Sequence, residues 1–219
     1  MIKYVLKEVF KNIKKLKRIK GEKMRDIEKY YNSTESERPR KCMKYFIDKI
    51  KCKPGNAIDL GCGAGNDSVY LIKNKWNVLA VDREDVEDRI VNRLNDEDIK
   101  RFRFKRQSFE EVELEKSDLI VANYSLPFCN KDKFGELWNK IKGSILDNGY
   151  FVGNFFGVND SWSVTKPQML FLSKEQVIEL FDGFEIVFFE EIEKDSLTAL
   201  GKLKHWHFFN VIARKQMIN

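Results

Sequence analysis

Between Asp59 and Gly65 an apolar run ends, and three glycines, Gly61, Gly63 and Gly65, stand at alternate positions before a helical pattern opens near Ser68. Few folds accept a buried strand that runs into a glycine turn and then a helix. Such a unit builds a ligand cradle at the C-terminal edge of a parallel sheet. Glycines there supply unusual φ values and let the backbone approach a ligand closely. The free N–H groups of the following helix can receive a carboxylate.

The dinucleotide fingerprint G-x-G-x-x-G needs a glycine at its sixth position, where this chain has Asn66. The turn alone also fits other Rossmann-like proteins. A second apolar run, residues 76–82, ends at Asp82, which lies 21 residues beyond Gly61. An acid at the end of the second strand of a nucleoside-binding βαβ unit accepts hydrogen bonds from ribose hydroxyls. A lone Asp there could equally cap a helix, so its pairing with the glycine turn carries the reading.

The rest of the chain alternates helical and strand patterns. Residues 1–20 place Ile2, Leu6, Val9, Ile13 and Leu16 at helical spacing among lysines. Helices are expected at 23–31, 41–50, 67–74, 84–98, 131–146 and 173–181, the last capped by Ser173. Strands are expected near 102–104, 118–122, 150–156, 184–192 and 207–214. Residues 193–205 read as a polar connection between the last two strands, and 157–169 as a loop able to cover a pocket. This alternation predicts an α/β, doubly wound sheet ending in an antiparallel hairpin.

Charge is unevenly placed. The net charge is +6, yet residues 1–25 carry ten Lys and Arg against two Glu, which leaves residues 26–219 near −2. The expected organisation is therefore a basic amphipathic helical extension, 1–29, followed by one domain, 30–219. The extension's apolar stripe could pack on the domain, pair with a second copy, lie on an anionic membrane surface, or face nucleic acid or an acidic partner. No apolar run approaches the ~20 residues of a transmembrane helix, and no secretory signal is visible. Cys42, Cys52, Cys62 and Cys129 are scattered without a C-x-x-C pair, so no metal site is expected and a reducing, cytoplasmic setting is.

The order Asp59-x-Gly61-x-Gly63-x-Gly65, with Asp82 beyond it, resembles the first motif of class I S-adenosylmethionine (SAM) methyltransferases. The stretch Leu119–Cys129, the phrase Asp147-Asn148-Gly149-Tyr150-Phe151 and the ending Lys204-His205-Trp206-His207 are similar to the small-molecule branch that includes tellurite-resistance and thiopurine-type enzymes. The resemblance implies a Rossmann-like seven-stranded sheet of order 3-2-1-4-5-7-6, with strand 7 antiparallel. It implies SAM as cofactor, with Asp59 an anion near the cationic amino acid. The other expected cofactor contacts are Arg40, Gly61, Cys62, Gly63, Asn66, Asp67, Asp82, Arg83, Ser108, Phe109 and Asn123. Ser108 stands where the family often has an acid for the adenine amino group, and Phe109 would line the ring.

Expected acceptor contacts are Arg38, Tyr124, Phe128 and Trp162. In such branches a polar segment, here beginning near Tyr30, closes over the cofactor; Arg38 and Arg40 sit in it, and an Arg fork suits a carboxylate. His205 and His207, two apart on one strand face, are the candidate catalytic bases, or else hydrogen-bond across the hairpin. The expected partner is a small-molecule methyl acceptor. The alternatives are RNA methylation tethered by the basic helix, which no Asn/Asp-Pro-Pro-aromatic signature supports, and a non-catalytic SAM-binding module.

Overall fold

The computed structural model describes residues 26–35 and 38–217. The helix expected at 1–20, and the charge argument built on residues 1–25, lie outside the described residues. Residues 26–34 form a helix, α1, and the boundary expected between residues 29 and 30 falls within it.

Seven strands form one sheet in the order β3-β2-β1-β4-β5-β7-β6. They are β1 (Asn56–Leu60), β2 (Asn77–Asp82), β3 (Phe102–Arg106), β4 (Ser117–Ala122), β5 (Ile145–Phe156), β6 (Phe184–Leu197) and β7 (Leu203–Lys215). The first five run parallel, while β7 is antiparallel to both β5 and β6. The central strands read as apolar runs because both faces are covered. Ile58, Leu60, Ile120 and Ala122 meet Leu137, Trp138 and Ile141 of α5 (Phe134–Ser144) and Val177 of α7 (Lys174–Leu180). On the other face, Ala57, Leu119 and Val121 meet Cys42 and Met43 of α2 (Lys41–Tyr45) and Leu71 and Ile72 of α3 (Asn66–Lys73). The Ser173 hydroxyl accepts from Gln176 N while the Gln176 side chain accepts from Ser173 N, so α7 starts at the expected cap.

Several boundaries differ from expectation. Residues 193–205 are largely strand, and the turn is confined to the bond from Thr198 N to Lys202 O (2.8 Å), with Gly201 at φ 75°. Polar side chains fit there because the arm is a two-stranded ribbon, pairing Glu193 with His207 and Asp195 with His205. The stretch 84–98 holds only one short α-helix, α4 (Glu87–Val91), and the helix at 41–50 continues from α2 as a π-helical turn, Phe46–Ile50. β5 begins at Ile145, five residues before the strand expected near 150–156, and takes in Asp147–Gly149. The register against β4 shifts between Ser117 and Leu119, and Asn148 takes φ 63°. A short helix, α6 (Trp162–Thr165), interrupts the loop expected over 157–169.

Candidate active site

The glycine turn closes at the C-terminal ends of β1 and β2. Gly61 N and Cys62 N donate to Val81 O at 2.8 and 3.0 Å, and Gly65 N donates to Cys62 O at 2.9 Å. A Cβ at Gly61 would run into Ser125, and one at Gly65 into Ile90. Gly63 differs: at φ 53° its Cβ would meet only Tyr31 Cε1, 3.8 Å away. The turn is therefore packed from below at two glycines and open above the third.

Three carboxylates surround it. Asp82 accepts from Gly63 N (2.9 Å) and Glu84 N (3.0 Å), so backbone donors aim its carboxylate along the turn. Asp67 in α3 accepts from Asn123 Nδ2 through Oδ2 (2.8 Å), while its Oδ1 is buried with no partner among the described residues. Burial raises the Asp67 carboxyl, against the pull of Asn123 and Arg40. Asp59 lies beneath the turn, 3% exposed, and accepts from Ser68 Oγ at 2.6 Å. Burial and then the neighbouring Asp67 push its carboxyl up to about 8. Asp59 does not line the cavity, and Asp67 is the acid of this motif that does. The alternation of β1 explains this: Leu60 and Ile58 point to one side and Asp59 to the other, under α3.

Above the turn lies a cavity of about 420 Å³. Its lining includes Arg40, Gly61, Cys62, Gly63, Asn66, Asp67, Asp82, Arg83, Ser108, Phe109, Asn123, Tyr124, Phe128 and Trp162, all expected from the sequence. Ser108 turns its hydroxyl to Glu111 Oε2 (3.2 Å), whereas the neighbouring Gln107, also lining, has a buried Oε1 without a partner among the described residues. α1 covers the cavity with Asp26, Ile27, Tyr30, Tyr31 and Thr34. Burial and the charge of Asp82 raise the Tyr31 phenol, so it stays neutral. Arg89 of α4 fastens this cover, donating to Glu28 and Glu35 (both 2.5 Å) and to Asn32 Oδ1 (2.9 Å). Arg93 adds bonds to Glu35 O (2.9 Å) and Asn66 Oδ1 (2.8 Å).

The far end of the cavity is aromatic. Tyr124 takes φ 52°, held by Tyr124 N donating to Asn154 Oδ1 (2.8 Å), and the Arg40 guanidinium lies 4.9 Å from its ring centre. The rings of Phe128 and Trp162 stand edge to face at 6.3 Å, and Leu200 arrives from the β6–β7 turn. Behind this wall a buried ion pair joins Lys204 and Asp160. The Lys204 ammonium lies 3.9 Å from the Trp206 ring centre and 4.6 Å from that of Trp162. Asp160 also accepts from Trp162 N (2.9 Å), which ties the wall to β7.

His205 and His207 do not line the cavity. On β7 they share one face, and it is Trp206, on the other, that packs toward Tyr124 and Trp162. Both rings are occupied across the hairpin. His207 Nδ1 accepts from Asn159 N (3.1 Å), which leaves Nε2 to donate to Glu191 (3.2 Å). His205 bonds Asp195 (2.8 Å) and Glu193 (3.1 Å), and these carboxylates raise its pKa. Arg38 is exposed and likewise off the cavity. A covering segment is expected from near Tyr30, but the wall residues of α1 and Gln107, Glu110, Ser125 and Leu200 are not named by the sequence. Tyr30-Tyr31, an aromatic pair ahead of a polar segment, was the available signal for the first of these.

The family profile described as tellurite resistance protein TehB matches residues 25–198. A search of curated protein sequences gave no match. TehB from Haemophilus influenzae is similar in structure, with a TM-score of 0.63 at 18% identity over 80% of this chain and 67% of that one. A Burkholderia thailandensis 1,6-didemethyltoxoflavin-N1-methyltransferase, solved with bound 1,6-didemethyltoxoflavin and S-adenosylhomocysteine, gives 0.62 at 20% identity over 81% and 78%. The N-methyltransferase NodS from Bradyrhizobium japonicum, solved with S-adenosylhomocysteine, gives 0.63 at 13% identity over 88% and 98%. With the profile covering most of the sequence and the strand order of this fold in place, the chain belongs to the tellurite resistance protein TehB family, within the class I SAM-dependent methyltransferases.

Proposed function

We propose that this protein moves the methyl group of SAM to a small-molecule acceptor that enters beside Tyr124, Phe128 and Trp162. The observation that carries the reading is a set of acceptors along one cavity: among the described residues Asp67 Oδ1 and Gln107 Oε1 are buried without partners, and Asp82, aimed by Gly63 N and Glu84 N, borders the open space above Gly63. Buried polar atoms in native proteins are normally paired, so such a cluster marks ligand contacts. SAM fits them, with an ammonium for Asp67, ribose hydroxyls for Asp82 and an adenine amino group for Gln107.

When bound, SAM supplies a sulfonium methyl that an acceptor lone pair takes by displacing the carbon–sulfur bond, whose electrons stay on sulfur. The chain's own part is positioning and exclusion of water. Asp82 and the turn fix one end, Asn123 and Arg40 hold Asp67 at the other, and α1 closes the top. Holding two reactants in line can supply ~7–11 kcal/mol of the barrier. With His205 and His207 occupied elsewhere, no histidine acts as base, and the acceptor atom enters already carrying a free lone pair. An aromatic end built from Tyr124, Phe128 and Trp162 suits a small acceptor, and the RNA alternative rested on residues outside those described. Among the described residues no helix is long and apolar enough to cross a membrane. Free Cys42, Cys52, Cys62 and Cys129 support the cytoplasmic setting.

The test is transfer of label from methyl-labelled SAM to panels of small nucleophiles and to total RNA. Label in a small molecule, lost on Trp162→Ala while S-adenosylhomocysteine still binds, is the expected result. Label in RNA alone would overturn the small-molecule reading.

A further inference from the structure

The phrase Lys204-His205-Trp206-His207 meets the site through its even-numbered residues. Strand alternation turns His205 and His207 to one face of β7, and Lys204 and Trp206 to the other. Lys204 and Asp160 are both buried and form an ion pair behind the aromatic end of the cavity. Three rings surround the ammonium, with centres at 3.9 Å for Trp206, 4.6 Å for Trp162 and 5.3 Å for Phe156. Of these residues only Trp162 lines the cavity.

Stability alone gives little reason for such a pair. Desolvating two charges costs about as much as their attraction returns, and apolar residues of like volume serve a core as well. What the carboxylate adds is direction. Asp160 Oδ1 accepts from Trp162 N (2.9 Å), and Oδ2 accepts from His207 N (3.3 Å) besides the ammonium. One side chain thus ties the main chain of α6 to that of β7. Ser161 N donating to His205 O (3.1 Å) is a second tie beside it. The Trp162 ring is held as well, by Lys204 and by the Lys166 ammonium 3.4 Å from its centre. Cations are attracted most strongly to the indole among aromatic faces. α6 has four residues and no side-chain cap, too little to hold itself in place.

We propose that Lys204 and Asp160 are positioning residues for methyl transfer. The pair touches no substrate; it sets the Trp162 indole against Phe128 and so fixes where the acceptor's attacking atom stands. This rests on the reading that the acceptor enters beside Tyr124, Phe128 and Trp162. A misplacement of ~1 Å at a reacting centre can cost ~10²-fold in rate.

The test compares wild type with the double variant Lys204→Met, Asp160→Asn, which leaves no buried charge unpaired. Both proteins carry 5-fluorotryptophan and are saturated with S-adenosylhomocysteine, and Trp162→Phe assigns the Trp162 fluorine signal. One narrow Trp162 signal is expected in the wild type and a broadened or split one in the double variant. The signals of Trp76 and Trp138 and the affinity for S-adenosylhomocysteine should not change. Transfer from methyl-labelled SAM to the small nucleophile that the wild type labels fastest should fall at least tenfold in kcat, with KM for SAM unchanged. Lys204→Gln, which keeps a donor to Asp160 but takes the cation from the rings, carries the same expectation should the double variant fold poorly. A single narrow Trp162 signal in a folded variant, or transfer at the wild-type rate, would overturn the proposal. If the wild type labels no nucleophile, the acceptor reading has failed, and the fluorine signals alone decide whether the pair fixes Trp162.

Discussion

Gly63→Ala places a methyl group in the wall of the cofactor cavity at a point where the protein itself leaves room. Gly63 has φ 53°, and its added Cβ would have only Tyr31 Cε1 near it, at 3.8 Å. The left-handed backbone costs an L-residue ~1–2 kcal/mol. At ~2–4 °C per kcal/mol for a domain of this size, the melting temperature should fall by about 2–8 °C. Gly65→Ala carries the same backbone cost at φ 76°, but its methyl also overlaps Ile90 and lies 3.0 Å from Arg93 Nη2. Overpacking adds ~1–3 kcal/mol, for a total of ~2–5 kcal/mol. Binding should follow the opposite order of harm. The Gly63 methyl would enter the cavity proposed for the ligand, and a loss of at least ~1.4 kcal/mol, tenfold in affinity, is expected. Thermal melts and calorimetric titration with S-adenosylhomocysteine measure both quantities. Normal binding by Gly63→Ala, or a Gly65→Ala protein as stable as Gly63→Ala, would refute the reasoning.

Asp82→Asn should weaken S-adenosylhomocysteine by ~1.5–3 kcal/mol, because a charged acceptor is lost and one of the two backbone donors now faces an amide N–H; unchanged affinity would reduce Asp82 to a loop anchor. Arg89→Ala should release α1, giving faster proteolysis across residues 26–40 and weaker cofactor binding with little change in melting temperature, since Glu28 is exposed. Either Lys204→Met or Asp160→Asn alone should cost ~3–5 kcal/mol by stranding a buried charge, while the double substitution should recover part of it in denaturant melts. Asp59 titrates near 8 in the folded state, so the unfolded chain releases its proton first; stability should fall as pH rises from ~4 to about 8, and Asp59→Asn should flatten that slope. Deleting residues 1–20 should leave S-adenosylhomocysteine affinity intact, and a changed sedimentation mass would mark that segment as a contact between copies.

Much of the fold was legible because periodicity and turn chemistry point the same way. The apolar runs of β1, β2 and β4, the glycine turn and the Ser173 cap needed no tertiary information. The ribbon at 193–205 was not legible, because one face is wet and the other buries a lysine, Lys204, where a half-buried sheet would show an apolar residue, so its strands lack the alternation that marks one. In the site, spacing predicted which residues gather, but not which way they face. Asp59 fits the motif yet turns under α3, and Asp67, eight residues on in the first turn of α3, lines the cavity. The histidines satisfied the composition rule for a base, while only the hairpin register shows their nitrogens bonded to Asn159, Glu191, Asp195 and Glu193. Leu200 reaches the cavity through a turn whose position depends on that same register.

Calorimetric titration of the purified protein with S-adenosylhomocysteine and, separately, with NAD tests the central claim most directly. Saturable binding of S-adenosylhomocysteine and no response to NAD is the predicted result. Saturable binding of NAD with no response to S-adenosylhomocysteine would contradict the assignment of the Gly61–Gly65 turn, Asp67 and Asp82 to a methyl donor.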